Sequence, residues 1–227
     1  MNGLVFYIGL GLGLAAACGL RPFLPLLLAG ALASSEALGV SFGGGGFAFL
    51  QSDWWLLAVA VGFVLAYALQ MLFGLSPAVS PDPGPLPSRA FPAALRLLGF
   101  TRERRRENAL AASIAGLGMG AGAALFGGTL AAHGDSPWPG ILAAFLVVGL
   151  AQRASGPVIA RARKRLPDRG AREALTIYLD AASLLAAALV CLVHPLGYVL
   201  VGMLAWFVWR LHSRADRKYA GLRILRR

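Results

Sequence analysis

The sequence predicts an all-α, polytopic integral membrane protein with about seven transmembrane segments. Three observations predict it. Of 227 residues, 58% are hydrophobic and 14% charged, with a mean hydropathy of +0.68, more apolar surface than a soluble core of this size can hide. Apolar runs recur at 3–20, 22–39, 54–75, 109–132, 138–159, 174–193 and 195–211. The 21 Lys and Arg fall almost entirely between these runs. The same arithmetic excludes a disordered chain, a disulfide scaffold and a soluble enzyme. The net charge of +11 therefore reports topology rather than nucleic-acid binding.

The first run lacks a basic leader and continues into more apolar sequence, so it is read as a retained helix. In the second, only Pro22 to Ala33 is fully apolar before Ser34, Ser35 and Glu36, which makes it either a short tilted span or a re-entrant half-helix. Between the second and third runs, Gly43 to Gly46 read as a flexible turn, and Phe47, Phe49, Trp54 and Trp55 as interfacial anchors. The third run closes a first helical half, residues 1–75. The proline-rich stretch 76–93 forbids a continuous helix and opens a Pro-rich, basic linker, 76–107. A second helical half occupies 108–211, and 212–227 form a basic tail, all within a single membrane domain.

The basic residues orient the chain. Six lie in 76–107, six in 160–173 and seven from Arg210 to Arg227, whereas 34–53 and 133–137 hold none. The positive-inside rule then places those three segments in the cytoplasm of a cell whose inner membrane the protein crosses, with a cytoplasmic C-terminus. GLGLGLAAA at Gly9–Ala17 is echoed by GLGMGAGAA at Gly116–Ala124, which raises a 3+3 inverted repeat with one added helix; close helix packing by small residues is the stronger account of the echo.

Polar groups inside the apolar runs are costly unless paired or hydrated. Arg21 stands in GLRPFLP, where Pro22 and Pro25 are expected to break the helix. Gln70, Gln152, Arg153 and Asp180 fall at a similar depth near the cytoplasmic face, so the five form a candidate layer with an excess of positive charge. Guanidinium groups in such a layer suit carboxylate or phosphate. Cys18 and Cys191 lie near opposite faces, too far apart for a disulfide or a shared metal. His133 and His194 read as helix-end residues. No HExxH, GxSxG or CxxC pattern occurs, so no catalytic residue, metal or cofactor is expected and the protein is not read as an enzyme.

Two stretches, GLGLGLAAACGLRPFLPLLLAG and YLDAASLLAAALVCLVHPLGYVLVGMLAWFVWR, resemble the bacterial membrane family called domain of unknown function 4126. Arg21, Phe23 and Pro25 match its GLR-x-F-x-P motif, and Asp180 falls where the family tends to carry an acidic residue. AYALQMLFGLSPAVS departs from the acidic and lysine-containing stretch usual there. The resemblance implies a membrane protein but no activity. From the residues, the expected function is a transporter or flippase for an anionic small molecule or lipid-linked phosphate. A scaffold or accessory subunit is the alternative, and a membrane enzyme using Asp180 as base on lipid phosphate the third reading. The bilayer and anionic inner-leaflet lipids are the expected partners, with no nucleic acid; a homo-oligomer stays open.

Overall fold

The structure, a computed structural model, describes residues 3–43, 45–73, 102–166 and 169–223. Among these are seven α-helices: α1 (Leu4–Leu20), α2 (Phe23–Ser34), α3 (Asp53–Phe73), α4 (Arg102–Ala132), α5 (Trp138–Arg165), α6 (Arg169–Leu192) and α7 (Leu196–Arg223). Each apolar run of the sequence corresponds to one of them. Three segments are long and apolar enough to cross a membrane: Ser113–Ala132, Trp138–Ala162 and Glu173–Leu192. A fourth is added if the 3₁₀ turn Gly45–Gln51 and the start of α3, bent by 58°, count as one span. Leu4–Leu20, Phe23–Ser34 and Leu196–Leu211 are apolar but shorter, so the protein is a multi-pass membrane protein with several short helices. The proline-rich stretch 76–93 lies outside the described residues.

α1 is the central helix. It packs against α2, α4, α5, α6 and α7. The packing is inverted relative to a soluble protein: the interior is lined by small residues such as Ala15, Ala16, Ala17, Ala144 and Ala151, while Leu146, Val199 and Leu185 stand on the outside. Lipid offers no less apolar an environment than a core, so small residues, which let backbones approach closely, gain the interior. Gly197 is the extreme case, since a Cβ there would overlap the carbonyl of Gly9.

The two Gly/Ala-rich stretches meet each other. Tyr7 stacks on His133, Gly11 faces Phe126, Ala15 faces Gly122, and the carbonyl of Cys18 faces Gly118, an antiparallel pairing of α1 with α4 along the whole echo. Flanking helices do not follow the symmetry: α1 packs broadly on α5, whereas the α2–α4 contact that a twofold axis would make equivalent is marginal. Close packing of small residues therefore explains the echo without a complete repeat.

Helix ends follow local chemistry. α4 stops in a Schellman turn, with the Asp135 N–H donating to Leu130 O, the Gly134 N–H to Ala131 O, and Gly134 at φ 81°. Ser52 caps α3 by accepting the Trp55 N–H. α1 ends at Arg21, whose extended backbone (φ −154°, ψ 123°) turns the chain into Pro22. α2 then starts with the Leu26 N–H donating to Pro22 O. Pro25 sits inside that first turn, where a helical N–H has no partner to lose. The break thus belongs to Arg21–Pro22; Pro25, expected to share it, instead fills the core at the start of α2.

α2 returns toward the end from which α1 began. Phe23 lies beside Phe63 and Gly30 beside Leu56, so α2 and α3 run antiparallel. At 12 residues α2 is about 18 Å long, short of the roughly 30 Å hydrocarbon core. In the following stretch Gly43, Gly45 and Gly46 are exposed, as a glycine turn requires, but the residues on either side pack into the core. Val40, Phe42 and Leu50 are fully buried, and Phe42 and Phe47 press on Gly128 of α4. Of the four proposed anchors, Phe49 and Trp54 are exposed, while Phe47 and Trp55 pack on the core.

Candidate functional site

Breaking the chain at Arg21–Pro22 has an electrostatic result. The end of α1 delivers a guanidinium between α6 and α3, where Arg21 Nε lies 3.4 Å from Asp180 Oδ1 and the two side chains are 9% and 8% exposed. The other carboxylate oxygen, Oδ2, accepts a hydrogen bond from the Tyr67 hydroxyl of α3. Tyr67 is oriented in turn by edge contact with Phe63, which packs on Phe23 at the start of α2. Three segments distant in sequence therefore close around one carboxylate. Asp180 stands seven residues after Glu173, where the α6 span begins, or about 10 Å into it at the helical rise.

The face of α6 that carries Asp180 is polar beyond it. Thr176, one turn earlier, and Ser183, one turn later, are both buried, and the Ser183 hydroxyl donates to the Asp180 carbonyl at 2.8 Å. That bond satisfies Ser183 locally and leaves the Asp180 carboxylate to Arg21 and Tyr67.

Of the five residues expected to form one layer, four have described side chains, and these do not come together as a whole. Arg21 and Asp180 come together. Gln152 sits on the opposite side of α1, where its Nε2 donates to the Ala115 carbonyl of α4 at 3.0 Å and joins α5 to α4. Arg153 is exposed on α5, because the next residue along a helix is rotated by about 100°. It does not enter the layer. Gln70 lies in α3, three residues after Tyr67, and its side chain is outside the described residues. Tyr67 is the member that the sequence reading missed. Its signal was weak, since a Tyr in an apolar run is ordinarily an interfacial or packing residue, and only α3 meeting α6 distinguishes it.

The remaining candidates take structural roles. Cys18 and Cys191 are buried free thiols. The His133 Nδ1–H donates to Thr129 O at 2.7 Å at the end of α4, while the ring stacks on Tyr7. His194 occupies the turn between α6 and α7, and burial lowers its pKa below the ordinary histidine value, favouring the neutral ring. Midway along α7, the Arg210 guanidinium lies 5.2 Å over the Trp206 ring. Among the described residues no group of three or more His, Cys, Asp or Glu is placed to hold a metal ion.

No curated protein and no solved structure matches the chain. The stretch that carries Arg21, Pro22 and Tyr67 does find a match, whereas Asp180 lies beyond it: residues 8–86 match the family model described as domain of unknown function (DUF4126), bearing out the resemblance over that part of the chain.

Proposed function

We propose that the protein is a transporter or flippase for an anionic group, a small molecule or a lipid-linked phosphate, with Arg21 as the anion-binding cation. The observation that carries this reading is the Arg21–Asp180 pair itself, placed at a break between two helices about 10 Å inside the α6 span. A paired charge at such depth gives less stability than apolar residues of the same shape, so its presence calls for a role beyond folding. Broken helices that aim polar groups at mid-membrane sites are the common device of secondary transporters. Arg21 has five N–H donors; Nε faces Asp180, and the guanidinium fork suits a phosphate or carboxylate. An anion would displace Asp180 from Arg21, and the Arg21–Pro22 joint would let the short α2 move against α6.

In this reading the helices alternate in direction through the bilayer. α3, α5 and α7 end, and α4 and α6 begin, at the cytoplasmic side of the inner membrane, where the linker and tail meet anionic lipid. The second reading, a non-transporting scaffold, is favoured by one feature: both Asp180 oxygens already have protein partners, and Gln152 is spent on a helix joint. An enzyme using Asp180 as base is disfavoured by the same arrangement, in which both carboxylate oxygens already face protein partners.

Thermal unfolding of the detergent-purified protein with inorganic phosphate, pyrophosphate and a short-chain phosphatidic acid tests the choice. A transporter is stabilised by at least one of them, and Arg21→Gln loses the effect. Indifference to all three, with proteoliposomes impermeable to the same anions, would establish the scaffold.

A further inference from the structure

Charge counting at the Arg21 site points to the coupling ion, an inference that rests on the anion-site reading above. With no anion present, one guanidinium and one carboxylate sum to zero. When a monovalent anion takes Arg21, that sum becomes negative unless Asp180 is neutralised. A net charge buried at this depth is strongly disfavoured, and a carboxylate stripped of its cation is the group most readily neutralised, by binding a proton.

Among the described side chains, no other charge is placed against the pair. α2 carries no ionisable side chain. In α1 the ionisable groups are Tyr7, stacked on His133 at the other end, and Cys18, buried one turn before Arg21. α3 presents Tyr67, and its Asp53 lies at the opposite end of the helix. α7 brings Tyr198, bonded to the Val5 carbonyl at the other end, and Arg210, lying over Trp206. On α6 itself Tyr178 faces outward and Glu173 stands two turns earlier, while the side chains of Arg169 and Arg172 lie outside the described residues.

Tyr67 is chemically suited to both states. Its hydroxyl donates to Asp180 when the carboxylate is charged, and after protonation the same oxygen can accept from the carboxylic acid. A phenylalanine could do neither, and a lysine or arginine would hold Asp180 ionised.

We propose that Asp180 is the proton acceptor of a proton-coupled anion site: a phosphate- or carboxylate-type monoanion binds Arg21 together with a single proton, which passes from water to Asp180, and both leave together. The empty state keeps Asp180 ionised by Arg21; the occupied state keeps it protonated with Tyr67 as partner. Binding is then electroneutral, and the proton gradient drives the anion in the same direction.

Two probes distinguish the source of the anion. Dimethyl phosphate is a water-soluble phosphodiester monoanion, and a short-chain phosphatidylglycerol presents a phosphodiester from the lipid side; neither titrates between about pH 5.5 and 8, so any proton taken up belongs to the protein. Binding is measured on the full-length protein in detergent, in weakly buffered solution with a pH indicator. The expected result is uptake of one proton per anion bound, with Kd rising about tenfold per pH unit while the free site is ionised and the occupied site protonated. The probe that binds identifies whether the anion comes from water or from the bilayer.

Asp180→Asn, a neutral stand-in for the protonated acid, should bind with pH-independent affinity and no proton uptake. Tyr67→Phe should still take up the proton, with a shifted pH midpoint. Anion binding to the wild-type protein without proton uptake, at a Kd independent of pH, would overturn the coupling while leaving the anion site standing. Failure of both probes to bind would overturn the anion site and the coupling with it.

Discussion

At the residue scale, the Arg21–Asp180 pair makes a definite energetic claim. Removing one partner leaves the other as an uncompensated charge in a site less than a tenth exposed, a change that costs about 3–5 kcal/mol in buried pairs. Arg21→Gln and Asp180→Asn should each lower the stability of the detergent-purified protein by several kcal/mol, and the double variant should recover part of the sum. Denaturant titration followed by tryptophan fluorescence reads all three. Strict additivity would mean that the two groups are separately hydrated. Arg153→Gln serves as the contrast: its side chain is exposed on α5, so a change within about 0.5 kcal/mol is expected. Tyr67→Phe removes one hydrogen bond to a charged group, and a loss of about 1.5–3 kcal/mol is expected on the same titration. The sequence exposed Arg21 and Asp180 because a charge in an apolar run stands out. It concealed Tyr67, whose type is common in membrane helices, and it grouped Arg153 with the layer because depth alone says nothing about which side of a helix a residue faces.

Helix packing makes its own prediction through two glycines of α7. Gly197 lies against α1 so closely that a Cβ would strike the Gly9 carbonyl and approach the Gly13 backbone, whereas a Cβ on Gly202 would meet nothing within 4 Å. Gly197→Ala must push α7 off α1 and should destabilise by about 1–3 kcal/mol or more. Gly202→Ala only improves helix propensity and should be neutral or stabilising by about 0.5–1 kcal/mol. Thermal aggregation of the two purified variants beside the wild type checks the pair, and equal behaviour would refute the α1–α7 contact. The sequence shows both as glycines in an apolar helix. Separating them requires knowing which face of α7 meets α1, and that depends on a contact between residues nearly two hundred positions apart.

At the scale of the whole molecule, the topology is open to chemical labelling. Ser136 stands exposed between α4 and α5, at the His133 end, and Ser213 lies in α7 among the basic residues that follow Arg210. With Cys18 and Cys191 replaced by alanine, a cysteine at Ser136 should react with an impermeant maleimide in intact cells, and one at Ser213 only after permeabilisation. Reaction of the Ser213 cysteine from outside would reverse the proposed orientation. Tyr67 near the end of α3 meets Asp180 near the start of α6, and Gln152 late in α5 meets Ala115 early in α4. The end of α3 therefore lies level with the start of α6, and the end of α5 with the start of α4.

Composition and the alternation of apolar runs with basic segments were enough, by themselves, to establish a helical membrane chain and to locate the apolar part of each described helix, because the bilayer imposes length and polarity on each segment independently of its neighbours. The cost of an ion in hydrocarbon likewise made Arg21 and Asp180 visible one residue at a time. Only the tertiary structure decided that the chain reverses at Arg21–Pro22, that the stretch holding Val40, Phe42 and Leu50 packs into the core, and that Tyr67 rather than Arg153 completes the polar cluster. Those outcomes depend on which helix faces meet. Facing is weakly encoded when every side of a helix is apolar, so it emerges from small residues such as Gly9, Gly13 and Gly197 admitting close approach at particular points.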